Sequence, residues 1–364
     1  MKIGLVIYGS LDQRSGGYRY DRKLVEGLED RGDDVSVISL PRTGVDESGD
    51  DRPAVGATED PCSDIRDRLD RPVDILLQDE LCRPTLAAYN RDLERPRRIV
   101  TVVHLLDSAR PADGCQTVPT RIRDRERRYL ESVDGAIATS EFTRKRTTDL
   151  ASVPTTVAPP AGRHSGPAVS SEAVRERAQT SPLAVTFLGN LIPRKNLSTL
   201  LSALARVDRE WHLTVVGNRC ADPATTRQVR ARVDSLGIRD RVSYTGAVDA
   251  ATLESILDRT HVLAVPSRYE SFGMCYLEAM EYGAVPIAST VGGAGEFVAD
   301  DHNGFLVDPT DLARIVAIVD RLAGDRDRLA ALGCRALATA DAHPTWADAV
   351  TICRRFLRAR LETE

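Results

Sequence analysis

Apolar runs of strand length alternate with longer helical stretches along nearly the whole chain, and this alternation restricts the fold more than any other feature. KIGLVIY (2–8) reads as a buried strand and a polar, glycine-bearing loop follows. A helix opening near Gly16 or Gly17 continues through KLVEGLEDRG to the next strand, DVSVISL (34–40). Strand, helix and strand in that order require a crossover, so the strands lie parallel and helices cover the sheet. VDILLQ (73–78), RIVTVVHLL (98–106) and DGAIATS (134–140) continue the series. It breaks at APPAGRHSGPAVSS (158–171), which is rich in Pro, Gly, Ala and Ser and has no period. It restarts with LAVTFLG (183–189), HLTVVG (212–217), VSYTG (242–246), HVLAVPS (261–267) and VPIAST (285–290), again with helical stretches between them. With 364 residues the chain also exceeds what one core usually serves. The expectation is two doubly wound α/β domains in tandem: one over 1–165, a connection over 166–182, a second domain over 183–342, and a C-terminal helix over 343–364 packing back toward the first domain.

A net charge of −5 excludes a globally basic nucleic-acid binder. MKIGLVIYGSLD is too short and wrongly flanked for a secretory leader, and no window reaches the roughly 18 to 20 apolar residues of a spanning helix. A cytoplasmic protein, with membrane contact at most peripheral, is expected. Seven cysteines without a C-x-x-C pair, and six histidines without H-E-x-x-H or H-x-H spacing, point to reduced, mostly buried thiols and to no metal site. The 45 arginines against four lysines are what a GC-rich genome produces, and with 35 Asp against 19 Glu they also resemble the composition of salt-adapted archaeal proteins. Against that background each lysine is an exception, and Lys195 is one of the four.

In open parallel sheets, ligands gather beyond the carboxyl ends of the strands. After the first strand, GSLDQRSGGYRYD places Gly16 and Gly17 at a helix start, where amides without a Cβ can approach a phosphate; a flexible turn is the plainer alternative. No G-x-G-x-x-G is present, against a nicotinamide site. In LGNLIPRKNLSTLL, Asn190, Arg194 and Lys195 lie between a strand and a helix, where two cations suit a diphosphate leaving group and a solvated helix start is the alternative. In PSRYESFGMCYLEAMEYG, seven residues separate Glu270 from Glu278, with Ser271, Phe272 and Gly273 between strand and helix. A helix opening near Phe272 puts Glu270 at its mouth, Glu278 two turns in, and the amides of 272–274 at its positive end. Such carboxylates can accept hydrogen bonds from sugar and ribose hydroxyls; capping or solvation is the plain alternative for either.

These stretches stand in order with TSEFTRKRT (139–147), VAPPAG (157–162) and VGGAGEFVADDHNGFLVDPTD (291–311). Together they resemble five elements of the retaining GT-B glycosyltransferases of family 4, the glycosyl transferases group 1, over almost the whole chain. The resemblance implies two Rossmann-like domains facing across a cleft, with the C-terminal one binding a nucleotide sugar. By position it implies that Glu278 holds the ribose, that Glu270 with the Phe272 and Gly273 amides holds the donor sugar, and that Lys195 holds the diphosphate. It further implies that Gly16 and Gly17 face the diphosphate and that His104 contacts the sugar near the reacting centre. The loop TGAVDA (245–250) would lie near the base. The chain departs from the family at Asn190, where arginine is common, with Arg194 one turn further on; His302 replaces a glycine in the tail.

The implied reaction moves a hexose-type sugar from a UDP- or GDP-linked donor to a hydroxyl, with retention, no cofactor and no metal. The leaving phosphate would take the acceptor's proton. A non-catalytic sugar-nucleotide-binding protein or a sugar-nucleotide epimerase would share the architecture. A GT-A enzyme would need a strand-end D-x-D motif, whereas Asp325-Arg326-Asp327 falls in a helical stretch. For the acceptor, glycan or lipid-linked, PTRIRDRERRYLES (119–132) carries Arg121, Arg123, Arg125, Arg127 and Arg128 on a helix. Interleaved Asp124, Glu126 and Glu131 suggest a salt-bridged solvated face, and docking to anionic lipid is the alternative.

Overall fold

The computed structural model describes residues 1–41, 61–110, 119–164 and 166–362, with the backbone alone for 61–64. The chain divides into two compact units, Met1–Pro160 with Trp346–Glu364, and Ala161–Thr345.

In the first unit β1 (Lys2–Tyr8), α1 (Gly16–Glu29), β2 (Asp34–Leu40), α2 (Pro61–Leu69), β3 (Ile75–Asp79), α3 (Arg83–Leu86), β4 (Arg98–Val103), α4 (Thr120–Leu130), β5 (Gly135–Ala138), α5 (Glu141–Leu150) and β6 (Thr155–Val157) follow in order. The strands form one parallel sheet, β2-β1-β3-β4-β5-β6. β1 is an interior strand and buried from Ile3 to Tyr8, as a parallel strand covered on both faces must be. β2, at the edge, exposes Val37. α1 starts at Gly16, where the glycine pair predicts it, and Ser15 caps it, its Oγ accepting the Tyr18 amide. β4 stops at Val103, so His104 lies just beyond the strand end.

The second unit runs α6 (Ser171–Ala178), β7 (Leu183–Leu188), α7 (Leu197–Leu204), β8 (Trp211–Val216), α8 (Pro223–Ser235), β9 (Val242–Gly246), α9 (Ala250–Asp258), β10 (Val262–Ala264), α10 (Met274–Met280), β11 (Val285–Ser289), β12 (Phe305–Val307), α11 (Leu312–Gly324) and α12 (Arg326–Ala342). Its parallel sheet has the order β12-β11-β10-β7-β8-β9. The division falls at 160/161, and residues 166–182, where the sequence suggests a connection, contain α6. Val174 of α6 fills a notch left by Gly283 and Gly333, and Arg177 donates to the Tyr282 carbonyl at 2.7 Å, so the segment is part of the second core. The three-residue strands β6 and β12 are too short to carry a readable period.

The last helix, α13 (Trp346–Glu362), belongs to the first unit. Arg354 and the N-terminal amine share the Asp33 carboxylate at 2.6 and 2.8 Å. Among the described cysteines, Cys82 and Cys353 are buried, Cys275 and Cys334 half-buried and Cys220 exposed, none in a disulfide; Cys115 lies outside the described residues. No helix among the described residues is long and apolar enough to cross a membrane. On α4, Arg121, Arg123, Arg127 and Arg128 are exposed and Arg125 is half-buried. Glu126 does not interleave with them at the surface, because its carboxylate is buried and accepts the Asp107 amide at 2.6 Å.

Gly27 decides how closely α13 approaches α1, since a Cβ there would lie 2.6 Å from Val350 Cγ2. Gly27→Val should lower the unfolding midpoint by the equivalent of about 1 to 3 kcal/mol, and adding Val350→Ala should recover part of the loss. Strictly additive midpoints in thermal melts would contradict this packing account.

Candidate active site

Two groups of polar residues sit at strand carboxyl ends, one in each unit. In the second unit Gly189 and Gly217 directly follow β7 and β8, both with positive φ, and a Cβ on Gly217 would meet the Gly189 carbonyl oxygen at 1.9 Å. The two loops therefore abut, and Asn190 Oδ1 accepts the Asn218 amide at 3.3 Å, tying the Asn190 side chain to the β8 loop. The chain then makes one turn at Pro193–Lys195 and reaches Asn196 in the left-handed region. Asn196 Nδ2 donates to the Pro266 and Pro309 carbonyls at 3.0 and 2.8 Å, which fastens the β7 loop to the loops after β10 and β12.

That stitching brings Arg194 and Lys195 to Glu270. Lys195 Nζ lies 2.6 Å from Glu270 Oε2, Arg194 Nη1 lies 3.3 Å from the same oxygen, and Ser267 Oγ donates to it at 3.2 Å. Among the described residues no donor reaches Glu270 Oε1. Arg194 Nη1 also donates to the Tyr269 carbonyl at 2.9 Å. Burial disfavours the Glu270 charge, but the Lys195 and Arg194 cations outweigh it and hold the carboxyl at about 2. The backbone of Glu270 is fixed as firmly as its side chain. Its N–H donates to the Val291 carbonyl and its carbonyl accepts the Gly293 amide, at 3.2 and 3.1 Å. Only glycine fits at 292, where φ is +130° and a Cβ would stand 1.7 Å from the Glu270 carbonyl oxygen.

The helix expected near Phe272 starts two residues later: α10 begins at Met274, with Gly273 at φ 96° as its N-cap. Phe272 points its side chain into the core, stacked on Phe297 at 4.9 Å, so only its backbone is available to a ligand. Ser271 is half-buried in the same loop. Glu278 is buried on α10, with Arg163 Nη2 3.6 Å from its Oε1. Arg163 escaped the sequence reading because it lies in the aperiodic stretch 158–171. Glu281 positions it by accepting the Arg163 and His164 amides, each at 2.8 Å.

In the first unit Gly16, Gly17 and His104 come together with Asp21, Asp79 and Glu80, acids to which the sequence alone gives no role. A Cβ on Gly17 would lie 3.3 Å from the His104 ring. His104 Nε2 is 2.9 Å from Asp21 Oδ1 and 4.0 Å from Asp79 Oδ1, and the Tyr20 ring meets the imidazole edge-on at 5.5 Å. Glu80 Oε2 accepts the backbone amides of His104 and Leu105 at 3.2 and 3.0 Å, while its other oxygen pairs with Arg83. Asp21, Asp79 and Glu80 are fully buried. Burial opposes the imidazolium, but Asp21, then Asp79 and Glu80, raise the His104 pKa to about 9. Burial and the Asp21 charge push the Asp79 carboxyl well above the usual carboxylate range. One ligating atom from each of Asp21, Asp79 and His104 lies within 4.8 Å of the others, compact enough for a cation. The 2.9 Å bond between Nε2 and Asp21 makes the set a hydrogen-bonded Asp–His pair beside a second carboxyl group. At the start of α1, the Tyr18 and Arg19 amides are taken by Ser15, and among the described residues no partner takes those of Gly16 and Gly17.

Residues 171–337 match the family model of the glycosyl transferases group 1. The D-inositol 3-phosphate glycosyltransferase of Xylanimonas cellulosilytica is 34% identical over 174 residues, 47% of this chain and 42% of that protein. The GDP-mannose-dependent alpha-(1-6)-phosphatidylinositol monomannoside mannosyltransferase of Mycobacterium tuberculosis is 30% identical over 184 residues, 48% of this chain and 47% of that one. The chain thus matches less than half the length of these curated relatives. Among solved structures, the sucrose-phosphate synthase of Thermosynechococcus elongatus superposes with a TM-score of 0.80 at 21% identity. Anabaena HepE in complex with UDP-glucose superposes with a TM-score of 0.74 at 18%, and in both cases the whole of each chain is covered. The fold is GT-B.

Because the Glu270 pKa is depressed, its stabilisation is present above the unfolded value of about 4.5 and is lost as pH falls through about 2. Lys195→Met removes the main cause, so wild type should exceed the variant in stability above pH 4.5, by on the order of 3 kcal/mol at most, and the gap should close toward pH 2. Denaturant midpoints measured across that range check this; a gap that stays constant to pH 2 rejects it.

Proposed function

We propose that this GT-B chain, which carries the glycosyl transferases group 1 segment over residues 171–337, transfers a hexose-type sugar from a nucleoside diphosphate sugar to a hydroxyl acceptor with retention. The observation that carries the reading is the convergence of Lys195 and Arg194 on Glu270. Lys195 has three donors and spends one on Glu270 Oε2, so the ammonium is already oriented when a diphosphate arrives. As the bond from the anomeric carbon to the phosphate breaks, charge grows on the diphosphate, and a fixed ammonium stabilises the transition state more than the ground state. Glu270 Oε1, with no donor among the described residues, is free to accept a sugar hydroxyl, and the amides around Gly273 lie next to it in the chain. Glu278, steadied by Arg163, is assigned the ribose diol.

The acceptor oxygen replaces the phosphate on the anomeric carbon from the same face, and the departing phosphate takes the acceptor's proton. No cofactor or metal is needed in this scheme, since Lys195 and Arg194 supply the positive charge. Both donor bases have support: HepE is solved with UDP-glucose, and the mycobacterial relative is named as GDP-mannose-dependent. A lipid-linked acceptor is favoured by α4, where the burial of Glu126 leaves the exposed arginines with fewer acids than the sequence suggests.

Lys195→Ala should reduce sugar transfer about 100-fold or more while the far-ultraviolet dichroism stays native. Glu278→Ala should weaken nucleotide-sugar binding in calorimetry by about tenfold, the loss of one charge-assisted hydrogen-bonding partner. Full turnover by the first variant, or unchanged affinity in the second, removes the corresponding role. Co-sedimentation with phosphatidylglycerol vesicles should fall when Arg121, Arg123, Arg127 and Arg128 are changed to Ser; equal sedimentation makes α4 an ordinary solvated face.

A further inference from the structure

We propose that Asp21 is the positioning residue of this transferase: it fixes the His104 ring through Nε2, so that Nδ1 is the nitrogen offered to the substrate as a hydrogen-bond donor. The proposal rests on the transferase reading for its role in the reaction, and on geometry for the pairing itself.

α1 is shaped around this ring. Gly17 and Asp21 are four residues apart and share one face of the helix. At Gly17 the missing Cβ makes room for the imidazole, whose Cδ2 would otherwise be 3.3 Å away. One turn on, Asp21 Oδ1 meets Nε2 at 2.9 Å. Between them Tyr20 closes the edge of the ring, with its own hydroxyl held by the Ala158 carbonyl at 2.9 Å. From the other side Glu80 holds the His104 backbone. The ring is thus fixed by its backbone, its edge and Nε2, while no described residue bonds Nδ1.

The groups facing His104 are almost all acidic. α1 contributes Asp21 and Tyr20, the end of β3 contributes Asp79, and the turn after it contributes Glu80. α13 contributes Cys353, 3.5 Å behind the Tyr20 hydroxyl. Arg83 on α3 is committed to Glu80 and Asp107. In this setting the imidazole keeps both protons through neutrality, being held at about 9. It is then unable to serve as a general base. In the step itself, the bond from the anomeric carbon to the leaving phosphate oxygen breaks and the bond to the acceptor oxygen forms. The acceptor's proton passes to the leaving phosphate, and His104 ends with the protons it began with.

The test is a pH titration of ring-carbon-labelled histidine by NMR on the full chain, with His104→Gln assigning the resonance among six histidines. In wild type the His104 signal should stay in its charged position from pH 6 to 8 and titrate near 9. In Asp21→Asn it should titrate near the ordinary value of about 6.5 or below. The same variant should lose about tenfold in kcat, a fraction of the roughly 100-fold that a lost transition-state donor costs. Its KM for the donor should change less, and the alkaline limb of its pH profile should move to lower pH. Wild-type titration near 6.5 overturns the proposal even if Asp21→Asn does not fold. So does an Asp21→Asn variant that melts earlier but keeps the His104 titration and the pH profile. If neither protein transfers sugar while the titrations differ as expected, the pairing stands and the transferase reading fails.

Discussion

The ion pair between Lys195 and Glu270 is the interaction on which the second unit's strand-end loops depend. Both side chains are nearly buried, 12% and 10% exposed, and either charge alone there would cost several kcal/mol. The pair is tolerable because Glu270 also accepts from Ser267 and lies beside Arg194, and because its backbone is clamped by Val291 and Gly293. Loops after β7, β10 and β11 therefore meet at one residue, Glu270. Gly189, Gly217 and Gly292 permit those meetings, since each adopts a conformation or proximity that a Cβ would forbid.

A lysine suits that place better than the arginine that this chain uses almost everywhere else. The Lys195 stem packs against the Gly189 position, 3.2 Å from where a Cβ would stand, and ends in a compact ammonium. Of the other three lysines, Lys2 and Lys145 are exposed and Lys23 makes a solvated pair with Glu26. The lysine at 195 has a local reason that the other three lysines do not share.

Legibility followed period and range. β1, β2 and β9 lie where their runs begin and end; β1, buried from Ile3 to Tyr8, writes itself as a continuous hydrophobic stretch, while the edge strands β2 and β9 keep exposed residues beside their buried ones. α6 was lost beside the Pro- and Gly-rich stretch 158–171, because its eight residues show only a short apolar stripe. At the site, Arg194, Lys195 and Glu270 were legible from strand-end loop positions and family resemblance. Asp21 and Arg163 were not: each acquires its role from a partner 83 or 115 residues away, His104 in one case and Glu278 in the other. The spacing of Gly17 and Asp21 on one helix face was visible in the sequence, but nothing local said which strand end that face meets.

The two groups of polar residues solve opposite electrostatic problems, and this assigns them different work. In the second unit, Arg163, Arg194 and Lys195 stand against Glu270 and Glu278, leaving positive charge that an anion can complete. In the first, Asp21, Asp79, Glu80, Asp107 and Glu126 outnumber the cations they pair with, which among the described residues are His104, Arg83 and, at Asp107, Arg110. An acid surplus in a buried place is relieved by retained protons, which is why His104 is held charged and Asp79 is driven toward its neutral form. A diphosphate would be drawn to the first kind of site for its charge. Under the proposed transfer, His104 would meet a substrate through the protons it already holds and orient it without taking part in proton transfer.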